Sequence, residues 1–254
     1  MARLKSVSHE DELSLVEHLD ELRTRIIVCV SVLVVSMSLC FWQNEHLLEI
    51  AKGPLPAGQD LITLGVTEQF TTTLTVSAYF AIVLALPIII YQAYAYVLPA
   101  FSDTERRSVR PLIFLAPILF IGGAVFAYFV VMPPAIDFLL NFNDEQFISQ
   151  LRAREYYSFF STMLIALGLI FEIPLAILAV TRLGIVTPDQ LAKNRRYAIL
   201  VIAIVAALLP SIDPVTLMLE IIPIVVLYEL SILLARAMGT PKEGAYSEPS
   251  AQEP

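Results

Sequence analysis

The sequence predicts an all-α, polytopic membrane protein with six transmembrane helices in one domain over residues 1–238. Three observations carry that expectation. Hydrophobic residues make up 57% of the 254-residue chain and charged residues only 16%, against roughly 25% charged in a soluble domain. The mean hydropathy is +0.73. The missing charges leave long apolar runs at about 26–42, 74–98, 111–132, 159–181, 197–209 and 217–235.

The first run is preceded by a charged, amphipathic segment, Met1 to Arg25, that lacks the apolar core and small-residue cleavage site of a signal peptide. The run itself is therefore expected to stay in the mature protein. Ser14-Leu15-Val16-Glu17 matches a capping box. From there Leu15, Leu19, Leu22 and Ile26 form an apolar stripe, while His18, Glu21 and Arg25 lie on another face. One reading is an interfacial anchor with Arg23 and Arg25 as retention charges. The other is a polar recognition surface.

The second, third, fourth and sixth runs reach the roughly 18 to 20 residues that a spanning helix needs, and the first is marginal. The fifth has about 13 residues, or roughly 20 Å of helix, against about 30 Å of hydrocarbon. The tight link Pro210-Ser211-Ile212-Asp213-Pro214 makes the fifth and sixth runs a short spanning pair that thins the bilayer locally. Pro87, Pro117, Pro174 and Pro223 interrupt four spans. Each removes a backbone donor and favours a kink, so the bundle is expected to be curved with a concave face.

With this topology thirteen of the sixteen Lys and Arg fall on one side, and only Lys52, Arg152 and Arg154 on the other. Basic residues accumulate on the cytoplasmic side, so both termini are expected there. The external loops, about 44–71 and 133–156, are the longer ones. The second carries Phe138, Leu139, Phe142, Phe147, Ile148 and Leu151 among acids, a pattern for an amphipathic helix on the membrane surface or capping the bundle. Residues 239–254, rich in Pro, Glu, Ser and Ala, read as a disordered cytoplasmic tail.

Several function classes are excluded by what is missing. A net charge of −8 offers no footprint for nucleic acid. Cys29 and Cys40 share one apolar run about 16 Å apart along a helix, beyond disulfide reach. No Cys/His cluster points to a metal, and no cofactor motif is present. There is no Gly-x-Ser-x-Gly, His-Glu-x-x-His or phosphate loop, and no His inside a span to activate a serine, so the chain does not read as an enzyme. No internal repeat supports an inverted-repeat transporter.

Two acids stand out. Glu105 sits beside Arg106 and Arg107 in a turn at an expected helix start. It is either a dipole-favoured acid or a carboxylate offered to a basic ligand, since guanidinium and carboxylate pair two-pronged. Glu172, in Leu169-Ile170-Phe171-Glu172-Ile173-Pro174, falls near mid-membrane. A carboxylate at that depth must face the bundle, carry a proton or bind a partner, which makes it a functional candidate. Glu220 and Glu229 lie nearer the ends of the last span, within snorkelling reach of the surface.

Four ordered motifs carry a resemblance. His18-Leu19-Asp20-Glu21-Leu22-Arg23-Thr24-Arg25 resembles the H-L-x-E-L-R-x-R signature of the TatC family. Tyr91-Gln92-Ala93-Tyr94-Ala95-Tyr96-Val97-Leu98-Pro99-Ala100-Phe101 resembles its Y-Q-x-W-x-F-x-x-P-x-L stretch, followed by the expected Glu105. Residues 122–133 resemble its G-x-x-F-x-Y-F-x-x-x-P block, and Phe171-Glu172-Ile173-Pro174 its F-E-x-P. Thr67-Glu68-Gln69-Phe70 is similar to its T-E-x-F outer-loop segment, with Gln69 where proline is frequent. Tyr94 and Tyr96 stand where Trp and Phe are common, keeping an aromatic ring.

The resemblance covers about residues 14–236 and implies a function. Members of that family recognise the paired arginines of signal peptides on folded cargo. They form a multimeric complex with single-span TatA and TatB-like subunits in the bacterial cytoplasmic (inner) membrane, driven by the proton motive force. Glu21, Arg23, Tyr96 and Glu105 would then form the signal-peptide site, Glu172 an intramembrane polar site for a partner helix, and Pro54, Glu68 and Asp213 the functional positions of the outer loops. The competing expectations are a proton-coupled small-solute transporter using Glu172 and a purely structural scaffold.

Overall fold

The computed structural model describes residues 9–97, 103–142, 150–182, 184–209 and 213–237, with side chains described for these except at 9–17 and 103–112. The expected disordered tail and most of the Pro210–Pro214 link lie outside the described residues.

The chain is a succession of helices because a backbone in hydrocarbon can satisfy its own polar groups only internally. In order they are α1 (His9–Trp42), α2 (Asn44–Lys52), α3 (Glu68–Val97), α4 (Asp103–Phe126), a π-helical turn (Ala127–Val131), α5 (Met132–Asn141), α6 (Ala153–Ile170), α7 (Ile173–Arg182), α8 (Pro188–Lys193), α9 (Arg195–Ala207) and α10 (Pro214–Ala237). Two short strands, β1 (Leu61–Ile62) and β2 (Leu151–Arg152), join the loops that precede α3 and α6 in a parallel pair, Leu61 opposite Leu151 and Ile62 opposite Arg152.

Among the described residues, five stretches are long and apolar enough to span a bilayer: His18–Trp42, Glu68–Val97, Ile113–Asn141, Ala153–Arg182 and Pro214–Ala237. The short member of the bundle is α9, with 13 residues. The shortness expected of the last pair belongs to α9 alone, since α10 has 24 residues and is broken by neither Pro223 nor Glu220. Large apolar side chains are exposed along the spans: Ile26, Ile27, Val30, Val34, Val35 and Leu39 all face outward from α1. That surface is what a lipid solvent selects.

Helix boundaries differ from the sequence reading in two places. Helix α1 already begins at His9, so Ser14 lies inside it and is no N-cap. The third run continues past Met132 into α5, because the π-helical turn sits immediately before Pro133-Pro134 and these prolines occupy first-turn positions that need no intrahelical donor. Helix α5 buries Met132, Ala135, Ile136 and Leu140 while Asp137 stays exposed; of the residues expected to form an amphipathic helix in this loop it holds Phe138 and Leu139, Leu151 is in β2, and Phe147 and Ile148 lie outside the described residues.

Helix α1 packs along α3, α4 on α3 and α6, and α10 on α7 and α9. The main core gathers Phe160, Met163, Leu167, Met132, Tyr156 and Ile224. A second cluster holds Ile90, Phe120, Leu175 and Leu178. Two glycines set the α4–α6 approach. A Cβ on Gly123 would lie 2.6 Å from the Leu167 carbonyl oxygen, and one on Gly168 would lie 2.6 Å from the Phe120 ring. Small residues at such crossings let helix backbones come close in a membrane. The expected concave face is an apolar recess of about 530 Å³ between α1, α2, α3, α4 and the π-helical turn, walled by Cys40, Leu47, Phe80, Pro87, Ile121 and Phe129 among others.

Candidate functional site

The end of the bundle that carries Arg23, Arg25, Arg182, Arg195 and Arg236 holds a polar cluster between α1 and α3. Helical spacing places His18, Glu21 and Arg25 on one face of α1. The Arg25 Nε and Nη2 donate to Glu21 Oε1 at 3.0 and 2.5 Å. The same guanidinium crosses to α3, where Nη1 donates to Gln92 Oε1 at 2.7 Å and Nη2 to the Ala95 carbonyl at 3.3 Å. His18 stacks on Tyr96, ring centroids 4.4 Å apart and planes 12° from parallel. His18 Nδ1 stands 3.8 Å from Glu21 Oε2. One carboxylate oxygen of Glu21 is thus held by Arg25 while the other stays beside the histidine and the aromatic ring.

The structure therefore brings together Glu21 and Tyr96 of the expected recognition surface. Arg23 is exposed on α1, off the Arg25 face. Glu105 lies in α4, whose described part opens at Asp103, and its side chain is outside the described residues. Arg25 and Gln92 are the positioning residues that sequence reasoning did not assign. The i, i+4 spacing of Glu21 and Arg25 was legible; the 67-position link from Arg25 to Gln92 was not.

The intramembrane acid occupies a break. Helix α6 stops at Ile170 and α7 starts at Ile173, with Pro174 unable to donate back across the gap. Glu172 sits in that turn, 8% exposed. Among the described residues neither carboxylate oxygen has a hydrogen-bond partner, and its polar neighbours are the Tyr94 hydroxyl and the Phe120 backbone. The close α4–α6 crossing at Gly123 and Gly168 presses Phe120 and Phe171 into this region. Phe120 also walls the apolar recess, so Glu172 lies behind that recess and not on its lining.

The snorkelling expected for the α10 acids divides. Glu229 does reach the surface, pairing with Arg195 at 2.7 Å. Glu220 does not: it is 0% exposed, because it points inward on the α10 face that also buries Thr216 and Ile224.

The outer-loop positions are structural junctions. Glu68 opens α3, is buried, and accepts from the Leu64 and Gly65 backbone N–H groups at 2.8 and 3.1 Å. The same carboxylate takes two hydrogen bonds from Arg152, at 2.7 and 3.3 Å, which ties the loop before α3 to the loop before α6 beside the β1–β2 pair. Pro54 is buried just after α2, whose last carbonyls are taken by two tyrosines. Tyr128 donates to Ile50 O at 2.9 Å and Tyr156 to Ala51 O at 2.6 Å. Asp213 N-caps α10, its Oδ1 accepting from Thr216 N–H at 2.7 Å with Pro214 at the first helical position.

Comparison with known proteins adds an independent line. The family model described as "Sec-independent protein translocase protein (TatC)" matches residues 17–223. The chain is 36% identical over 247 residues to the Sec-independent protein translocase protein TatC of Desulforapulum autotrophicum, covering 95% of this chain and 92% of that one. It is 34% identical over 227 residues to the TatC protein of Aquifex aeolicus, covering 87% and 94%. A crystal structure described as the twin arginine translocase receptor TatC in DDM superposes with a TM-score of 0.75 at 34% identity, covering 86% of this chain and 99% of that one.

Proposed function

Since the chain belongs to the TatC family of Sec-independent protein translocase proteins, we propose that it is the signal-peptide receptor and core subunit of a twin-arginine translocase, with recognition seated on the α1–α3 cluster. The family is a transport component and not a catalytic one. The protein is a multi-pass membrane protein. We place it in the bacterial cytoplasmic membrane with both ends inside, where the excess of Lys and Arg belongs.

The observation that carries this reading is the Arg25 clamp. A ligand bearing two guanidinium groups needs carboxylates held in place and an aromatic face beside them. Arg25 fixes Glu21 against α3, and the His18–Tyr96 stack supplies the flat surface. Glu105, on the next helix, supplies the second carboxylate and takes a signal arginine directly. Arg23 shapes the patch from its exposed edge. Glu172 receives a polar group from a single-span TatA or TatB-like partner or from the inserting signal. Transport is driven by the proton motive force. Family membership leaves the small-solute transporter without support.

The test is site-specific crosslinking from position 105 to a twin-arginine signal peptide, together with peptide affinity of Glu105→Gln. The expected result is a crosslink at 105 and weakened binding with the protein still inserted. Unchanged affinity, or equal affinity for a peptide with both arginines neutralised, overturns the cation site.

A further inference from the structure

A second polar feature lies at the opposite end of the bundle. A recess of about 430 Å³ opens at the start of α6, lined by Arg152, Arg154, Glu155, Ser158, Phe159 and Thr162. Its charge runs against the distribution of the chain. Among the described Lys and Arg, only Lys52, Arg152 and Arg154 lie on this side, and two of those three meet in this one recess. Retention charges belong on the other face, so topology does not account for them.

The two arginines are in different states. Arg152 is held by Glu68 through Nε and Nη2, which leaves Nη1 turned towards Glu155 at 3.7 Å, too far for a hydrogen bond. Arg154 is exposed and has no ion-pair partner among the described residues. Glu155, 76% exposed, supplies a negative charge on the same rim. Below the rim, Ser158 and Thr162 continue down the helix at spacings of four, and Phe159 provides an apolar floor. The span of α6 and α7 begins at Ala153, so the rim stands where bilayer headgroups lie and the floor where acyl chains begin.

We propose that this recess binds a zwitterionic phospholipid headgroup of the outer leaflet, one that joins a phosphodiester to a primary ammonium. Arg154 and the open edge of Arg152 take the phosphate, Glu155 takes the ammonium, and the Ser158 and Thr162 hydroxyls face the glycerol esters. An arginine pair with an adjacent carboxylate matches that charge pattern better than it matches an anionic headgroup, which would meet Glu155 as a repulsion. The chemistry is shared by free phosphate, which lacks the ammonium and the acyl chains. This site is independent of the recognition cluster on the other face.

The experiment is native mass spectrometry of the purified full-length protein, titrated in detergent with phosphatidylethanolamine, with phosphatidylglycerol and with inorganic phosphate. The wild type is expected to retain phosphatidylethanolamine in preference to phosphatidylglycerol. Arg154→Gln should cut that retention by about tenfold, the scale of one lost charge-assisted pair. Glu155→Gln should abolish the preference between the two lipids while leaving binding. Both positions are exposed, so melting temperature should not move. Equal retention by Arg154→Gln, an unaltered preference in Glu155→Gln, or displacement of the lipid by millimolar phosphate would each overturn the proposal.

Discussion

Arg25 on α1 and Gln92 on α3 meet through a 2.7 Å hydrogen bond, and the same guanidinium holds Glu21. One side chain therefore sets both the spacing of two helices and the aim of a carboxylate. Gln92→Leu should leave the Glu21–Arg25 pair on one helix but unfix it from α3. Arg25→Gln should release Glu21 altogether. Affinity for a twin-arginine peptide, measured by titration calorimetry, is expected to fall by about tenfold in Arg25→Gln and by less in Gln92→Leu. Equal affinity in both variants and the wild type would show that Glu21 needs no positioning.

Glu172 differs from the recognition cluster in depth and partners. Glu172→Ala should dock signal peptide with near-normal affinity, because the α1–α3 cluster is untouched. Export of a folded reporter is expected to drop by at least about tenfold, as loss of an intramembrane polar contact implies. Normal export by this variant would remove the acid from the mechanism.

The Glu68–Arg152 junction predicts an order of damage. Glu68 accepts from Leu64, Gly65 and Arg152, whereas Arg152 contributes only one arm of that arrangement. Thermal unfolding in detergent should rank Glu68→Ala below Arg152→Ala, and both below wild type. Swapping the pair, Glu68→Arg with Arg152→Glu, should not restore stability, since an arginine cannot accept from the two backbone N–H groups.

The α4–α6 crossing has no room for a methyl group. Gly168→Ala is expected to destabilise by about 1–3 kcal/mol, because the new Cβ overlaps the Phe120 ring. Combining it with Phe120→Leu should recover part of that loss. A melting temperature unchanged by Gly168→Ala would mean the helices separate freely there.

Asp213→Ala should cost about 1 kcal/mol through loss of the α10 N-cap, and Asp213→Ser should recover most of it. If Asp213→Ser matches wild-type stability yet fails in export, the side chain has a role beyond capping.

Hydropathy and charge determined the class and the helical spans, because hydrocarbon permits few backbone solutions and Lys and Arg mark the sides, and the ordered motifs carried the resemblance. The Glu21–Arg25 pair was equally legible, being a helical repeat within one segment. Tertiary structure decided the rest. Glu220 and Glu229 sit nine positions apart on one helix, yet one is sealed in the core and the other pairs with Arg195, because packing against other helices chooses which face of α10 is buried. The partners Gln92 for Arg25 and Arg152 for Glu68 lie 67 and 84 positions away. Such pairs arise from how helices and loops come together, and no periodicity within a segment encodes a contact made across the fold.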